Sequence, residues 1–273
     1  MPGRFDIDWH FVLSRLVSVG SKVVVATYVF KWSYEFLIRG SNAVGGDFLV
    51  YWWAAHLTKN GVLSTVYEFS KFQESLKAVA GHELPMAWFY PPTFLLFIYP
   101  LAFLPYTASL LSWTCFTFVA YRQVLVHIAR HPATTWLILS FPATFLNVSY
   151  GQNGFLSAAL LGGGLLLLEE SPYLAGLLLG LFTYKPQFAI LVPLALLAGR
   201  QWRALLAFVF TLGSVILLSS AIFGLDAWVA FWSNLSIADK ILGSGYQGQI
   251  QTWQNMVSVL SSARLFGLHP FSL

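Results

Sequence analysis

The run Ala204-Leu205-Leu206-Ala207-Phe208-Val209-Phe210-Thr211-Leu212-Gly213-Ser214-Val215-Ile216-Leu217-Leu218-Ser219-Ser220-Ala221-Ile222-Phe223-Gly224-Leu225 contains no Asp, Glu, Lys or Arg. About 20 apolar residues in a helix cross the roughly 30 Å hydrocarbon layer of a bilayer, so this run reads as a transmembrane helix. The rest of the chain agrees. Its 273 residues are 57% hydrophobic and 10% charged, with a mean hydropathy of +0.67. Soluble domains carry about 25% charged residues. A water-soluble protein is excluded, and the expected fold is all-α, a polytopic transmembrane helical bundle forming a single domain over residues 1–273.

Aromatic residues reach 17%, with 11 Trp and 24 Phe, as expected where rings occupy bilayer interfaces and apolar grooves. The net charge of +4 bears on orientation in the bilayer, and no nucleic-acid partner is expected. Cys115 is the lone cysteine, which excludes an intrachain disulfide and a cysteine metal site. The N-terminus lacks a short apolar core followed by a small-residue cleavage site, so the first span is expected to serve as the targeting signal.

Outward from the 204–225 run, the apolar segments are separated by short polar turns. A first span ends near Ile38 and begins near Leu16 or Val23; its Lys31 and Glu35 have the i,i+4 spacing of a helical pair. Residues 39–91 form the longest polar section, with segments 48–58 and 66–79 expected as amphipathic helices on the membrane surface and Tyr67, Phe69 and Phe72 available to enter lipid. Leu84–Tyr121 is free of acidic and basic residues but is divided by Pro100 and Pro105. Apolar pieces follow at 133–149, 154–168, 172–184 and 186–199. Placing the Arg122/Arg130 and Arg200/Arg203 turns in the cytoplasm puts Asp47, the Gly151–Gly154 turn, Lys185 and the 226–273 tail on the exoplasmic side. The 92–121 stretch must then cross an odd number of times although its two pieces look like a pair. The tail is read as interfacial or loop-like, with a last helix at 253–267.

Few residues can carry chemistry. Asp47 follows Gly45-Gly46, where the chain turns and a helix starts, and Tyr51 lies one turn later on the same face. A helix cap and a catalytic base both fit this position. Lys185, between Tyr184 and Pro186, is an ammonium in an apolar run; it suits a lipid phosphate, and a snorkelling side chain at the interface accounts for it as well. Gln152 and Asn153 lie between glycines and offer neutral donors and acceptors to a sugar or phosphate; a tight polar turn uses the same residues. No DxD, HExxH or CxxC pattern occurs, so neither a metal nor another cofactor is expected. Ser, His and Asp are present without a nucleophile-elbow motif, which argues against a hydrolase triad.

Taken in order, the motifs Gly45-Gly46-Asp47-Phe48-x-x-Tyr51-x-x-Ala54-Ala55, Tyr90-Pro91-Pro92, Pro100-Leu-Ala-x-Leu-Pro105-Tyr106, Gly151-Gln152-Asn153-Gly154 and Ala175-Gly176-x-x-x-Gly180-x-x-x-x-Lys185-Pro186-Gln187 resemble glycosyltransferase family 87 over about residues 40–260. These are mannosyltransferase-like membrane enzymes of the GT-C class that depend on polyprenyl-phosphate sugars. The resemblance implies inverting transfer of a sugar, often mannose, to a glycolipid or glycan acceptor on the outer face of a bacterial-type cytoplasmic membrane. It implies Asp47 as the catalytic base in the first exoplasmic loop, with Tyr51, Tyr90, Gln152, Asn153, Lys185 and Gln187 binding substrate. Family members generally continue with further spans beyond the region matching Ser258–Leu268, so the chain is expected to be a C-terminally shortened form. A transporter or lipid-binding membrane protein is the alternative. It would explain broken helices and an intramembrane Lys, but it predicts internal repeats, and no convincing self-similarity is found.

Overall fold

A computed structural model describes residues 9–39, 45–82, 84 and 86–243. Every regular element among them is helical. The elements are α1 (Trp9–Arg39), α2 (Gly46–Lys59), α3 (Leu63–Tyr67), α4 (Phe69–Ala80), α5 (Pro92–Ile98), α6 (Tyr106–Ala129), α7 (Thr134–Ser140), α8 (Pro142–Tyr150), α9 (Gly154–Leu166), α10 (Pro172–Leu181), α11 (Pro186–Ala189), α12 (Leu191–Ala198), α13 (Trp202–Phe223) and α14 (Leu225–Gly243). Tight 3-10 turns at Tyr99–Phe103 and Phe182–Tyr184 extend α5 and α10.

The opening run forms α13, which among the described residues is the helix long and apolar enough to cross a membrane. Leu206, Phe210 and Leu217 on it are 68%, 77% and 72% exposed, an outer surface that suits lipid and would be costly in water. Its inner face packs against α10. Gly176 and Gly180, four residues apart on α10, receive the Ala204 carbonyl, Ala207, Phe208 and Thr211 so closely that a Cβ at either glycine would overlap them. Small residues at this spacing let apolar helices approach where burial from water supplies no driving force. α9 continues the layer between α6 and α10.

The pieces expected as crossings are short. Pro92–Phe103, Gly154–Leu166 and Pro172–Tyr184 are apolar helical segments of 10–17 residues. The 133–149 piece is two helices, α7 and α8, because Pro142 starts a new helix where its missing N–H costs nothing. Of the two pieces between Pro92 and Tyr121, α5 with its turn is the short one, and α6 is a helix of 24 residues that continues past Tyr121 to Ala129.

The principal core lies around α2, where Phe48, Tyr51, Ala54 and Ala55 pack with Trp88, Phe94, Ile98, Trp113 and Tyr184. The polar section therefore folds into the protein. α4 is amphipathic, as expected, with Phe72 and Leu76 buried and its opposite side exposed. The residues expected to enter lipid are corrected: Tyr67 and Phe72 are 4% and 0% exposed and face protein, and Phe69 is half-buried. The tail, expected to be interfacial or loop-like, is helical over Leu225–Gly243, with Ala227 and Phe231 in the same core. The Lys31–Glu35 pairing and the 253–267 helix fall outside the described side chains and residues.

Candidate active site

The site is made where two glycine turns meet. Gly45 takes a left-handed conformation (φ +83°) and starts α2. Its N–H donates to the Ser149 carbonyl at 2.9 Å, and its own carbonyl accepts the Tyr106 hydroxyl at 3.0 Å. Gly151, at φ +62°, ends α8 in the same conformation, and a Cβ there would lie 2.5 Å from the Phe48 Cβ. Both positions need glycine for the backbone angle and for the close approach. The Gly151–Gly154 turn is thereby pressed onto the first turn of α2.

That contact brings Gln152 to Asp47. Gln152 Nε2 donates to Asp47 Oδ2 at 2.6 Å, and no side chain caps α2. Asp47 is therefore not held as the cap of its own helix. Burial pushes its carboxyl above the ordinary value, and the Gln152 bond works against that rise.

Behind Asp47 lies a layer of phenols. Asn153 is 5% exposed and donates Nδ2 to the Tyr90 hydroxyl at 2.8 Å, which lies 3.2 Å from the Tyr51 hydroxyl. Tyr51 meets Tyr90 and Phe94 edge-on, with ring centroids 5.6 and 5.3 Å apart. Burial raises both the Tyr51 and Tyr90 pKa values, and the Asp47 charge adds to this, so both phenols keep their protons at neutral pH. One proton joins the two hydroxyl oxygens, while the Tyr90 oxygen also accepts from Asn153. The second phenolic proton has no protein acceptor among the described residues.

Lys185 joins this layer indirectly. It follows the Phe182–Tyr184 turn and is half-buried, its Nζ 5.9 Å from the Tyr184 ring centroid, with no carboxylate paired to it among the described residues. The Tyr184 hydroxyl lies 2.7 Å from Ser157 Oγ, and Ser157 Oγ donates to the Asn153 carbonyl at 2.9 Å. Of the residues singled out in the sequence, Asp47, Tyr51, Tyr90, Gln152 and Asn153 are brought together and Lys185 is tied to them. Gln187 is exposed on α11 and makes no hydrogen bond to the group. Tyr184 and Ser157 were missed, although Tyr184 adjoins Lys185 and Ser157 stands one helical turn beyond Asn153.

Two concavities lie elsewhere and do not include Asp47. One of about 480 Å³ is lined by Ser64, Tyr67, Phe223 and Asp226, and an apolar groove of about 670 Å³ runs along Tyr173, Leu206, Val209 and Phe210.

An all-α membrane bundle with a half-buried carboxylate, a layer of phenols and a nearby ammonium defines a class: a helical membrane protein with one cluster of polar side chains set in an apolar frame. Residues 88–273 match the model of glycosyltransferase family 87, about two-thirds of the chain. The chain belongs to that family and is a membrane glycosyltransferase with sugar donor and acceptor substrates. No curated protein and no solved structure matches it. Asp47 and Tyr51 precede the matched region, whereas Tyr90, Gln152, Asn153, Lys185 and Gln187 lie within it.

Proposed function

We propose that the chain transfers a sugar, mannose being the foremost candidate, from a polyprenyl-phosphate donor to a hydroxyl of a glycolipid or glycan, with inversion at the anomeric carbon. The observation that carries the reading is the 2.6 Å bond between Gln152 and a half-buried Asp47 that caps no helix. A carboxylate whose pKa is raised by burial is a stronger base than a free one, and the bond to Gln152 fixes which oxygen faces the ligand.

In this reading Asp47 takes the proton from the acceptor hydroxyl as that oxygen bonds to the anomeric carbon. The bond from that carbon to the phosphate oxygen breaks, and its electron pair leaves with the lipid phosphate. Lys185 offsets the added charge on the departing phosphate. The unpaired phenolic proton of the Tyr51/Tyr90 pair and the amide of Asn153 orient sugar or phosphate oxygens. Gln187 is exposed and serves the donor only at the edge of the site. The apolar groove beside α10 supports a polyprenyl donor: it begins at Tyr173, which precedes Lys185 by about 18 Å of helical rise, within reach of an isoprenoid chain. The active site faces the exoplasmic side of a bacterial-type cytoplasmic membrane.

The test is transfer from radiolabelled polyprenyl-phosphate mannose in membranes carrying the chain or its Asp47→Asn variant. Transfer that disappears with the variant is the expected result. Turnover retained by Asp47→Asn would sink the assignment of the base, and lipid binding without turnover by either form would favour a transport role.

A further inference from the structure

An inverting displacement needs the acceptor hydroxyl and the leaving phosphate on opposite faces of one anomeric carbon, where misplacement by about 1 Å is costly, yet Lys185 and Asp47 belong to segments far apart in the chain. The bonds between them can be followed atom by atom. Ser157 Oγ lies 2.9 Å from the Asn153 carbonyl, and that carbonyl also accepts the Ser157 backbone N–H at 2.9 Å. Ser157 and Tyr184 each bring one hydroxyl proton to this group of three oxygens. The Tyr184 hydroxyl lies 2.7 Å from Ser157 Oγ, so one proton joins the two oxygens, and it also lies 3.4 Å from the Asn153 carbonyl.

The Tyr184 ring is equally committed. It is 0% exposed, stacks on Phe94 with centroids 4.8 Å apart and packs against Phe97 at 5.6 Å. Phe94 in turn meets Tyr51 and Tyr90. At the next residue, the Lys185 N–H donates to the Phe182 carbonyl at 3.1 Å, closing the turn that carries Tyr184. The backbone of Lys185 is therefore pinned on one side to Asn153, whose neighbour Gln152 holds Asp47.

We propose that Tyr184, braced by Ser157, is a positioning residue that fixes Lys185 relative to the Asp47–Gln152 pair. It touches neither substrate. It sets where a phosphate held by Lys185 stands with respect to the base. This rests on the reading of Lys185 as the phosphate group's partner, and the two ideas fail in different ways.

The experiment measures binding of a polyprenyl monophosphate to the purified full chain in detergent micelles, together with donor KM, acceptor KM and kcat in the transfer assay. Tyr184→Phe keeps the ring stack and removes only the hydroxyl, so the fold is retained. Loss of one buried neutral hydrogen bond corresponds to about a 3- to 10-fold weaker affinity for phosphate lipid and a similar rise in donor KM. Acceptor KM stays unchanged. Ser157→Ala gives the same effect, and the double variant is no worse than either single one, because both break one chain. In a Lys185→Gln background, Tyr184→Phe adds nothing further, since the group it positions is gone. An undiminished effect in that background, or unchanged phosphate-lipid affinity in Tyr184→Phe alone, overturns the proposal while leaving the donor reading standing. Wild-type chain that does not bind the phosphate lipid overturns the donor reading and this proposal together.

Discussion

Replacing Gly176 with Ala puts the contact between α10 and α13 to a quantitative test. An added Cβ would collide with the Ala204 carbonyl oxygen and would lie 2.6 Å from the Ala207 Cβ and 2.9 Å from the Phe208 backbone nitrogen. Two of these three neighbours are backbone atoms, so no rotamer change relieves them, and α13 has to retreat by about 1 Å to restore ordinary contact. Overpacking of this kind costs about 1–3 kcal/mol. Gly→Ala in a helix also brings about 1 kcal/mol of helix propensity, which masks part of the cost. Gly213, on α13 itself, supplies the control because a Cβ there meets nothing within 4 Å. Gly213→Ala carries the propensity gain alone. The difference between the two variants isolates packing, and for a chain of this size it corresponds to about 2–10 °C in thermal midpoint. The assay is thermal denaturation of both variants and the parent in one detergent at one scan rate. Gly176→Ala is expected to melt lowest and Gly213→Ala at or above the parent. If the two variants melt together, the close approach of α10 to α13 is wrong.

The remaining predictions concern the site. Asp47→Asn should lower transfer by about 10²–10⁴-fold, the range a general base contributes. The same change should leave the thermal midpoint at pH 7 undiminished: a carboxyl raised by burial contributes stability while protonated at low pH and loses it as pH rises through its folded value, so the uncharged amide is no worse at neutral pH. Gln152→Leu removes the bond that holds the Asp47 pKa down, so the acidic limb of the pH–rate profile should move to higher pH, and an unmoved limb in kcat/KM would separate Gln152 from the base. Lys185→Gln should raise donor KM with acceptor KM unchanged, and Lys185→Arg should recover part of the loss, both read from initial rates at varied donor.

Much of this was legible because the decisive residues act locally. The charge-free run became α13, and the glycine pairs at 45–46 and around 151–154 each announced a turn. The meeting of those turns was not legible: Asp47 and Gln152 are separated by 105 positions, and only the folded backbone shows that Gly151 sits on Phe48. Tyr67 and Phe72 illustrate a second gap. Amphipathic spacing identifies which face of a helix avoids water, but lipid and protein interior are both apolar, and the pattern does not distinguish them. Pro105 separates α6 from α5 and its turn, as expected, whereas Pro142 divides into two helices a piece expected as one crossing. Tyr184 escaped notice because its role depends on a hydroxyl contact with Ser157, 27 residues away.

The burial of α2 bears on where the folding unit begins. Trp88 opens the region matched to the family, yet it is 1% exposed and lies edge-on to Tyr51, which precedes that region. Phe94 and Trp113 also meet the Tyr51 ring. A shortened chain beginning at Trp88 would bare this aromatic surface and would lose Asp47 with it. The stretch ahead of the family match is thus an integral wall of the same folding unit, and a boundary drawn at the edge of the match would cut through the protein's interior.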